Sequence, residues 1–267
     1  YDYGWERDGV QHGTYPVFAV RELFKRFYAM LKFELADGKT GYHMPHVTDT
    51  PLFCVESFSD LCVTGEQHYN TISKLSDLMP HRYRLCYATQ EQGIPRMGIW
   101  SYQGDVPVTK CQMLTLHNLH GVLFHYINLK YSNNAYEMMG GFRSEALMWK
   151  RFGRHKATFL PYWRHPNLAD VTPDIRNTSI PTRLIKTSAY IRPDEHRALL
   201  ICANLGTNGQ SIRLQPDLAA LGLSGRLSDC RVYDPVIQGN YHYPVVAGEI
   251  RMDIYPQRWR AVWIEER

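Results

Sequence analysis

The sequence predicts an α/β plus all-β fold, in which a partial or complete TIM-type (β/α) barrel precedes an antiparallel β-sandwich. Over residues 1–157, short apolar segments alternate with segments of helical periodicity, as in the strand–helix units of a parallel sheet. Residues 158–183 are rich in Pro, Asn, Asp and Thr, which is typical of a connection. Over residues 184–267, short strand-like segments follow one another between turn residues, which indicates a sandwich.

Amphipathic helices are predicted throughout the first part of the chain. From Val17 to Leu35, apolar residues recur every three or four positions and charged residues occupy the opposite face. Pro16 suits the start of this helix, and Gly38 suits its end. Further helices are predicted at residues 75–87, 110–129 and 136–152.

Short extended segments lie between these helices. Residues 40–44 and 94–102 are predicted strands, and the apolar segment 60–64 begins with an acidic residue. The helix within 110–129 gives way to a strand or to a second helix, and Gly153 ends the last helix. About four strand–helix units result, whereas a complete eightfold barrel needs about 250 residues. The units are therefore predicted to form the C-terminal part of a barrel.

The start of the chain bears on this prediction. Tyr1 takes the place of an initiator Met, which favours a processed or partial chain. A missing N-terminal segment or a homo-oligomer would then complete the barrel. No signal peptide opens the sequence, and no run of roughly 18 apolar residues predicts a membrane span. The compartment stays open, since removal of a signal segment would imply a periplasmic or secreted protein.

The sandwich is predicted from six short strands and the turns between them. The turn residues are Arg192-Pro193-Asp194-Glu195, Gly206-Thr207-Asn208-Gly209 and Ala247-Gly248. The strand-like segments alternate in polarity or are wholly apolar, as in strands that bury one or both faces. They are residues 184–191, 197–204, 210–214, 228–233, 249–254 and 261–264.

Composition and motifs exclude several classes of function. The 267 residues include 30 Lys and Arg and 26 Asp and Glu in mixed order, so no basic segment is available to follow a nucleic-acid backbone. Motifs for nucleotide, dinucleotide and serine-nucleophile chemistry are absent, and no cofactor is expected. The six cysteines form no C-x-x-C pair and are interpreted as buried thiols, with a Cys54–Cys62 disulfide as the alternative in an exported protein.

Several segments resemble barrel glycoside hydrolases. The sandwich segment is AYIRPDEHRALLICANLGTNGQSIRLQPDLAALGL. In the barrel part, the segments YDYGWERDGVQHG, AVRELFKRFYAML, FSDLCVTGEQHY and RYRLCYATQEQGIPRMGIW are similar to glycosidase-like proteins of polysaccharide-degrading bacteria. The resemblance covers nearly the whole chain. It implies a hydrolase of oligosaccharides or polysaccharides, with a sandwich that takes no part in catalysis.

Three carboxylates are predicted to carry the chemistry. Glycoside hydrolysis commonly uses one carboxyl group to protonate the leaving oxygen and another to attack the anomeric carbon or activate water, and barrels place such groups at the carboxyl ends of strands. Asp2, between aromatic residues, is the predicted nucleophile or stabilising carboxylate, and Glu66, after an apolar run and a glycine, is the predicted general acid. Asp60 is predicted to orient Glu66 or to bind sugar hydroxyls. The alternative for each is a structural or surface role.

A second set of residues is predicted to contact the sugar. Its aromatic members would stack on pyranose rings, with core packing as the alternative. Its imidazoles and its one carboxylate would form hydrogen bonds with hydroxyl groups. The set consists of Trp5, His12, Tyr42, His43, His46, Glu91 and Trp100.

Closely spaced histidines can indicate a metal site. His43 and His46 are three residues apart, but Pro45 lies between them and no third ligand is evident, so no metal site is predicted. His117 and His120 lie in a helical stretch, where packing is the better interpretation.

Together these features predict a glycoside hydrolase that uses two carboxylates. The alternatives are a non-catalytic carbohydrate-binding protein on a degenerate barrel, and a structural protein whose partial barrel another chain completes. The sugar, the linkage and the stereochemistry are not predicted.

Overall fold

The computed structural model describes residues 2–14, 16–33, 40–47, 52–64, 94–99, 107–125, 135–174, 184–237 and 240–267. In this part of the chain, the α-helices all end by residue 152 and strands dominate thereafter. The chain is therefore a mixed α/β protein, as the sequence predicts.

A parallel sheet of three described strands lies in the first part. Its order is β3 (Cys62–Thr64), β4 (Arg96–Ile99) and β5 (Leu123–His125), with all neighbours parallel. Helix α3 (Pro107–His120) connects β4 to β5 and has proline at its first position. The predicted alternation of strand and helix is confirmed here. Of the two alternatives for the segment after this helix, a strand or a second helix, the structure has the strand β5.

The segment before β3 differs from its prediction. Residues 40–44 do not form a strand; only His46 joins the sheet, through a parallel bridge to Val63. The carbonyl of Pro45 accepts a hydrogen bond from the amide of Val63, 2.9 Å away. The amide of His43 donates to the Asp60 side chain at 2.8 Å, and the amide of Asp60 donates to the carbonyl of His43 at 2.9 Å.

Two elements precede this sheet. Strands β1 (Asp2–Arg7) and β2 (Val10–Thr14) form an antiparallel hairpin. Helix α1 (Val17–Phe33) follows and confirms the predicted helix up to Phe33, whereas the end predicted at Gly38 lies outside the described residues. One side of α1, including Val20 and Phe24, packs with the short helix α2 (Phe53–Glu56) against Val47, Val55 and Cys62.

Helix α4 (Ala135–Phe152) ends where the sequence predicts. Gly153 has a φ of 70°, a left-handed conformation that glycine adopts without a steric penalty. Two arginines then satisfy the last carbonyls of the helix. Arg192 and Arg197 both donate to the carbonyl of Phe152, at 3.2 and 2.9 Å. Positive charge at this end also complements the helix dipole. The helix predicted at 75–87 lies outside the described residues.

Two antiparallel sheets make up the rest of the chain. Their ten strands are β6 (Thr158–Leu160), β7 (Ala169–Pro173), β8 (Ile185–Arg192), β9 (Arg197–Asn204), β10 (Gln210–Pro216), β11 (Cys230–Asp234), β12 (Tyr241–His242), β13 (Val245–Val246), β14 (Glu249–Ile254) and β15 (Trp259–Glu266). The larger sheet has the order β12-β11-β15-β9-β8-β6 and the smaller one β13-β14-β10-β7. All six strands predicted within residues 184–267 and all three predicted turns are confirmed.

Strands β6 and β7 differ from the prediction, because residues 158–183 were interpreted as a connection. β6 pairs with β8 in the larger sheet, and β7 pairs with β10 in the smaller one. Both are edge strands, where proline is tolerated, and β7 ends at Pro173. The polar composition of the segment therefore reflects edge strands together with loops.

The two sheets pack face to face around a shared apolar core, and we call them the sandwich. Leu200 and Cys202 of β9 face Ile212 and Leu214 of β10 in this core. On its other face, the larger sheet packs against α4, so Leu199 and Ile201 contact a second cluster with Met148 and Phe152. β9 is thus buried on both faces, which explains the uninterrupted apolar run Ala-Leu-Leu-Ile-Cys-Ala.

Helix α3 lies between the parallel sheet and the sandwich. The Thr115 hydroxyl donates to the carbonyl of Gln257 at 3.2 Å, and the Gln112 side chain bonds that of Gln257. The Ser188 hydroxyl of β8 donates to the carbonyl of Leu119 at 2.7 Å. These buried hydrogen bonds fix the helix on the larger sheet.

Two further predictions concern the cysteines and the membrane. Cys54, Cys62, Cys202 and Cys230 are free thiols, so the alternative of a Cys54–Cys62 disulfide is not adopted. Burial raises the pKa of Cys202 to about 12. Among the described helices, none has the length and apolar character needed to cross a bilayer.

Candidate active-site edge of the parallel sheet

The carboxyl ends of the parallel strands meet at one edge of the sheet. Thr64, Ile99 and His125 are the last residues of β3, β4 and β5. In barrels and other parallel α/β sheets, ligands bind at this edge. Glu66 follows Thr64 by two residues and Trp100 follows Ile99 directly. Both lie outside the described residues, as does Glu91, so their roles stay predictions.

Helix α3 packs closely against the parallel sheet. Gly98 of β4 faces His117 of α3, and a Cβ atom on Gly98 would lie 1.9 Å from the His117 Nε2. The imidazole ring packs at 5.5 Å from the ring of Phe124 in β5. Glycine at position 98 is therefore required for α3 to approach the sheet. His117 and His120 are buried, which confirms that they pack within the fold.

Asp60 lies at the opposite, amino-terminal edge. It precedes β3, and its carboxylate forms an ion pair with Lys32 Nζ of α1 at 2.7 Å. At about 3.3 Å per residue, Asp60 and Thr64 are about 13 Å apart along the strand. Asp60 therefore lies at the other end of β3 from the edge that Thr64 reaches. Chain order alone already places Asp60 before the apolar run that forms β3 and Glu66 after it.

The surroundings of Asp60 keep its carboxylate ionised. Burial alone would raise the pKa of Asp60, but the hydrogen bonds from the His43 amide and from Lys32 outweigh burial and lower it. The same contact raises the pKa of Lys32. Asp60 thus joins α1 to the segment that flanks β3, which favours a structural role over the predicted catalytic one.

A second ion pair lies in the interior near this edge. Arg96, the first residue of β4, contacts Glu56 of α2 through Nη2 and Oε2 at 2.7 Å, and both side chains are almost completely buried. Glu56 also accepts a hydrogen bond from the amide of Leu52 at 3.2 Å. A buried pair of this kind needs such additional hydrogen bonds to offset its desolvation.

The predicted sugar contacts Tyr42, His43 and His46 lie along the segment beside β3. The Tyr42 side chain is 65% exposed and lies near Lys32. The His43 ring contacts the backbone carbonyl of Phe58 and packs near Phe24, so it belongs to the contact between α1 and the sheet. His46 pairs through an isolated bridge with Val63, the middle residue of β3.

The remaining predicted residues lie in the hairpin. Asp2 is the first residue of β1 and is paired with Thr14, while Trp5 is paired with His12. Asp2 therefore begins an antiparallel strand, whereas the prediction assumed the end of a barrel strand. No cluster of three metal-ligating side chains occurs in the described part of the chain. None of the predicted contact residues lies in the sandwich, where the aromatic run Tyr241-His242-Tyr243 occurs.

Neither a protein-family model nor a curated protein matches the chain. Solved structures do match. An α-amylase from Anoxybacillus aligns at a TM-score of 0.53 and 8% identity over 94% of this chain and 57% of its own. A GH27 β-L-arabinopyranosidase from Geobacillus stearothermophilus aligns at 0.51 and 12% identity, over 96% of this chain and 63% of its own. A GH30 endoxylanase from Clostridium papyrosolvens aligns at 0.50 and 12% identity, over 99% and 76%.

The chain has a glycoside hydrolase-like fold. The alignments extend over both the parallel sheet and the sandwich, since each covers 94% or more of the chain. The chain spans 57% of the length of the amylase and 63% of that of the arabinopyranosidase. At 8 to 12% identity, these alignments establish the fold only. The reaction has to be argued from the residues of this chain.

Proposed function

We propose that this chain belongs to a glycoside hydrolase in which the parallel sheet is part of a TIM-type barrel. The observation that supports the proposal most directly is the shared fold with an amylase, an arabinopyranosidase and an endoxylanase over nearly the whole chain. All three relatives are named as enzymes that act on carbohydrates, although the names differ in substrate. A carbohydrate is therefore the proposed substrate, and its sugar is left open.

Glu66 is the proposed general acid. It follows the last residue of β3 by two positions, and this strand ends at the edge where barrels assemble their catalytic groups. The acid would protonate the leaving oxygen of the glycosidic bond. Asp2 stays the proposed second carboxylate, which would attack the anomeric carbon or activate water, on its sequence setting between aromatic residues, because in the fold it begins β1 of the hairpin. Asp60 is not among the proposed reacting groups, because it lies at the amino-terminal edge in an ion pair with Lys32.

Trp100 is the proposed stacking platform for a sugar ring. It follows directly after β4 in the sequence, and β4 and its parallel neighbour β3 have their carboxyl ends at the same edge. Aromatic faces suit the apolar C–H faces of pyranose rings. Glu91 is proposed to bind hydroxyl groups.

The test is a hydrolysis assay of the full-length protein with xylan, starch and an aryl β-L-arabinopyranoside. Loss of a general acid should lower turnover of the accepted substrate by about 10²- to 10⁴-fold in Glu66→Gln. The matched control is Glu22→Gln, which changes an exposed glutamate of α1. Asp60→Asn should keep most of the activity. Full activity in Glu66→Gln would contradict the assignment, and glycan binding without any product would favour the non-catalytic alternative.

A further inference from the structure

The sandwich contains an open cleft where its two sheets meet at one end. The cleft has a volume of about 610 Å³, within the range of small-molecule sites. One wall comes from the ends of the smaller sheet and the other from β15 and the segment around β12 and β13. Its lining includes Asp174, Ser211, Tyr241, Arg251, Asp253 and Arg260.

Polar groups form a row across one wall of the cleft. Ser211 of β10 is paired with Asp253 of β14, and the amide of Asp174 donates to the carbonyl of Ser211 at 2.9 Å. The Ser211 hydroxyl donates to the Asp253 carboxylate. This row offers carboxylate and hydroxyl oxygens at the spacing of neighbouring strands, about 4.8 Å.

Arg260 provides donors from the opposite sheet. Its Nε donates to the carbonyl of Asp253 at 3.1 Å, so the side chain crosses from β15 to β14. Its Nη1 lies 4.0 Å from the buried carboxylate of Asp234. A guanidinium has five N–H donors, of which these contacts occupy few. Arg251 adds a second guanidinium at the surface of the cleft.

An aromatic ring completes the cleft. Tyr241 is 49% exposed and is held by an edge-to-face contact with Tyr243, with ring centroids 5.4 Å apart. The Tyr243 hydroxyl donates to Asp234 at 2.9 Å. Burial raises the pKa of Tyr243 well above its ordinary value, so the hydroxyl remains a donor. The exposed part of Tyr241 is thus fixed in place before a ligand arrives, which limits the entropic cost of binding.

The charges of the lining indicate which ligands fit. Two arginines and two aspartates give no net formal charge, so neither an anion nor a cation is favoured by the cleft as a whole. Donors and acceptors line the same cleft as one exposed aromatic ring. Vicinal hydroxyl groups use both kinds of partner at once, and the C–H face of a sugar ring suits the face of a tyrosine.

We infer that this cleft is a non-catalytic binding site for an uncharged glycan. It would hold one or two sugar units of the polymer while the carboxyl edge of the parallel sheet acts on another part. The choice of a glycan as ligand rests on the proposed function, whereas the cleft and its chemistry rest on the sandwich alone.

The experiment compares Tyr241→Ala with Tyr255→Ala in the full-length protein. Tyr255 is also on the sandwich, is 67% exposed and does not line the cleft, so it is a matched control. Retardation in gels that contain xylan, starch or arabinan measures binding. Loss of the stacking contact should weaken binding to the accepted polymer about tenfold in Tyr241→Ala and leave Tyr255→Ala unchanged. Arg251→Ala changes an exposed residue of the lining and should also weaken binding to the accepted polymer.

The outcomes separate this inference from the proposed function. Hydrolysis of a small aryl glycoside should be equal in both tyrosine variants, because the cleft is not part of the reacting site. Binding that depends on Tyr241 without hydrolysis by any form would overturn the proposed function alone. Hydrolysis by a protein whose retardation is the same in both tyrosine variants would overturn the cleft. Stronger binding of an acidic polysaccharide or inorganic phosphate at the cleft would overturn its assignment to uncharged glycans.

Discussion

The sandwich and the parallel sheet are stabilised in different ways. Strands β8, β9 and β15 have eight residues each, and a core of fully buried aliphatic side chains connects the two sheets. Strands β3 to β5 have only three or four residues, and α1 beside them has no buried side chain. Around the short strands, the ion pairs Glu56–Arg96 and Lys32–Asp60 join neighbouring elements. Apolar area therefore dominates in the sandwich, and specific polar contacts matter more in the parallel sheet.

Breaking the buried ion pair should give the largest effect. Arg96→Met leaves the carboxylate of Glu56 in the interior without its partner, which typically costs about 3–5 kcal/mol. Chemical denaturation measures the free energy of unfolding. The double variant Glu56→Leu with Arg96→Met should recover most of the loss, since no charge remains buried. A loss below about 1 kcal/mol in the single variant would mean that water reaches the pair.

Removing apolar volume from the sandwich should rank next. Leu200 is completely buried between the sheets, and Leu200→Ala should cost about 2–5 kcal/mol through lost transfer energy and the remaining cavity. The matched control is Leu23→Ala in α1, where the side chain is 50% exposed. This control should change the unfolding free energy by less than about 0.5 kcal/mol. Equal losses in the two variants would remove the contrast between the regions.

A smaller effect is expected where α3 contacts the parallel sheet. Gly98→Ala places a methyl group against the buried His117 ring, and such overpacking typically costs about 1–3 kcal/mol. In a His117→Ala background, the same change should cost much less, because the clashing ring is gone. Thermal unfolding of the four proteins in this cycle gives the coupling. Additive effects would show that position 98 is restricted by something other than His117.

The smallest effect concerns the pH dependence of stability. The pKa of Asp60 is lowered from 3.8 in the folded protein, so its contribution is present above pH 3.8 and is lost as the pH falls through the folded value. Unfolding free energies measured from pH 6 to pH 2 should therefore fall less steeply in Asp60→Asn than in the parent protein. Parallel curves for the two proteins would argue against the ion pair with Lys32.

The same contrast explains how much of the molecule could be predicted. Long periodic patterns predicted α1, α4 and the sandwich strands, because apolar residues that recur with the repeat of a helix or a strand are a strong signal of that element. Edge strands β6 and β7 leave a weak trace, since Thr158–Leu160 has only three residues and β7 is half exposed. They were therefore mistaken for loop.

The candidate site was harder to predict, for a different reason. The short apolar run predicted a strand between Asp60 and Glu66, but not that a side chain from another element would hold Asp60. Asp60 proved to lie before β3, in contact with a lysine 28 positions earlier in the chain. Likewise, the cleft on the sandwich gathers residues from position 174 to position 260, and no local pattern connects them.

The double burial of β9 has a consequence for how this protein can evolve. The outer face of the larger sheet, with Leu199, Ile201 and Trp263, is the surface on which α4 rests. A gene fusion that transferred the sandwich alone would carry this apolar face into water, where it would promote aggregation. We therefore expect domain shuffling to transfer the sandwich together with helix α4, which covers this face.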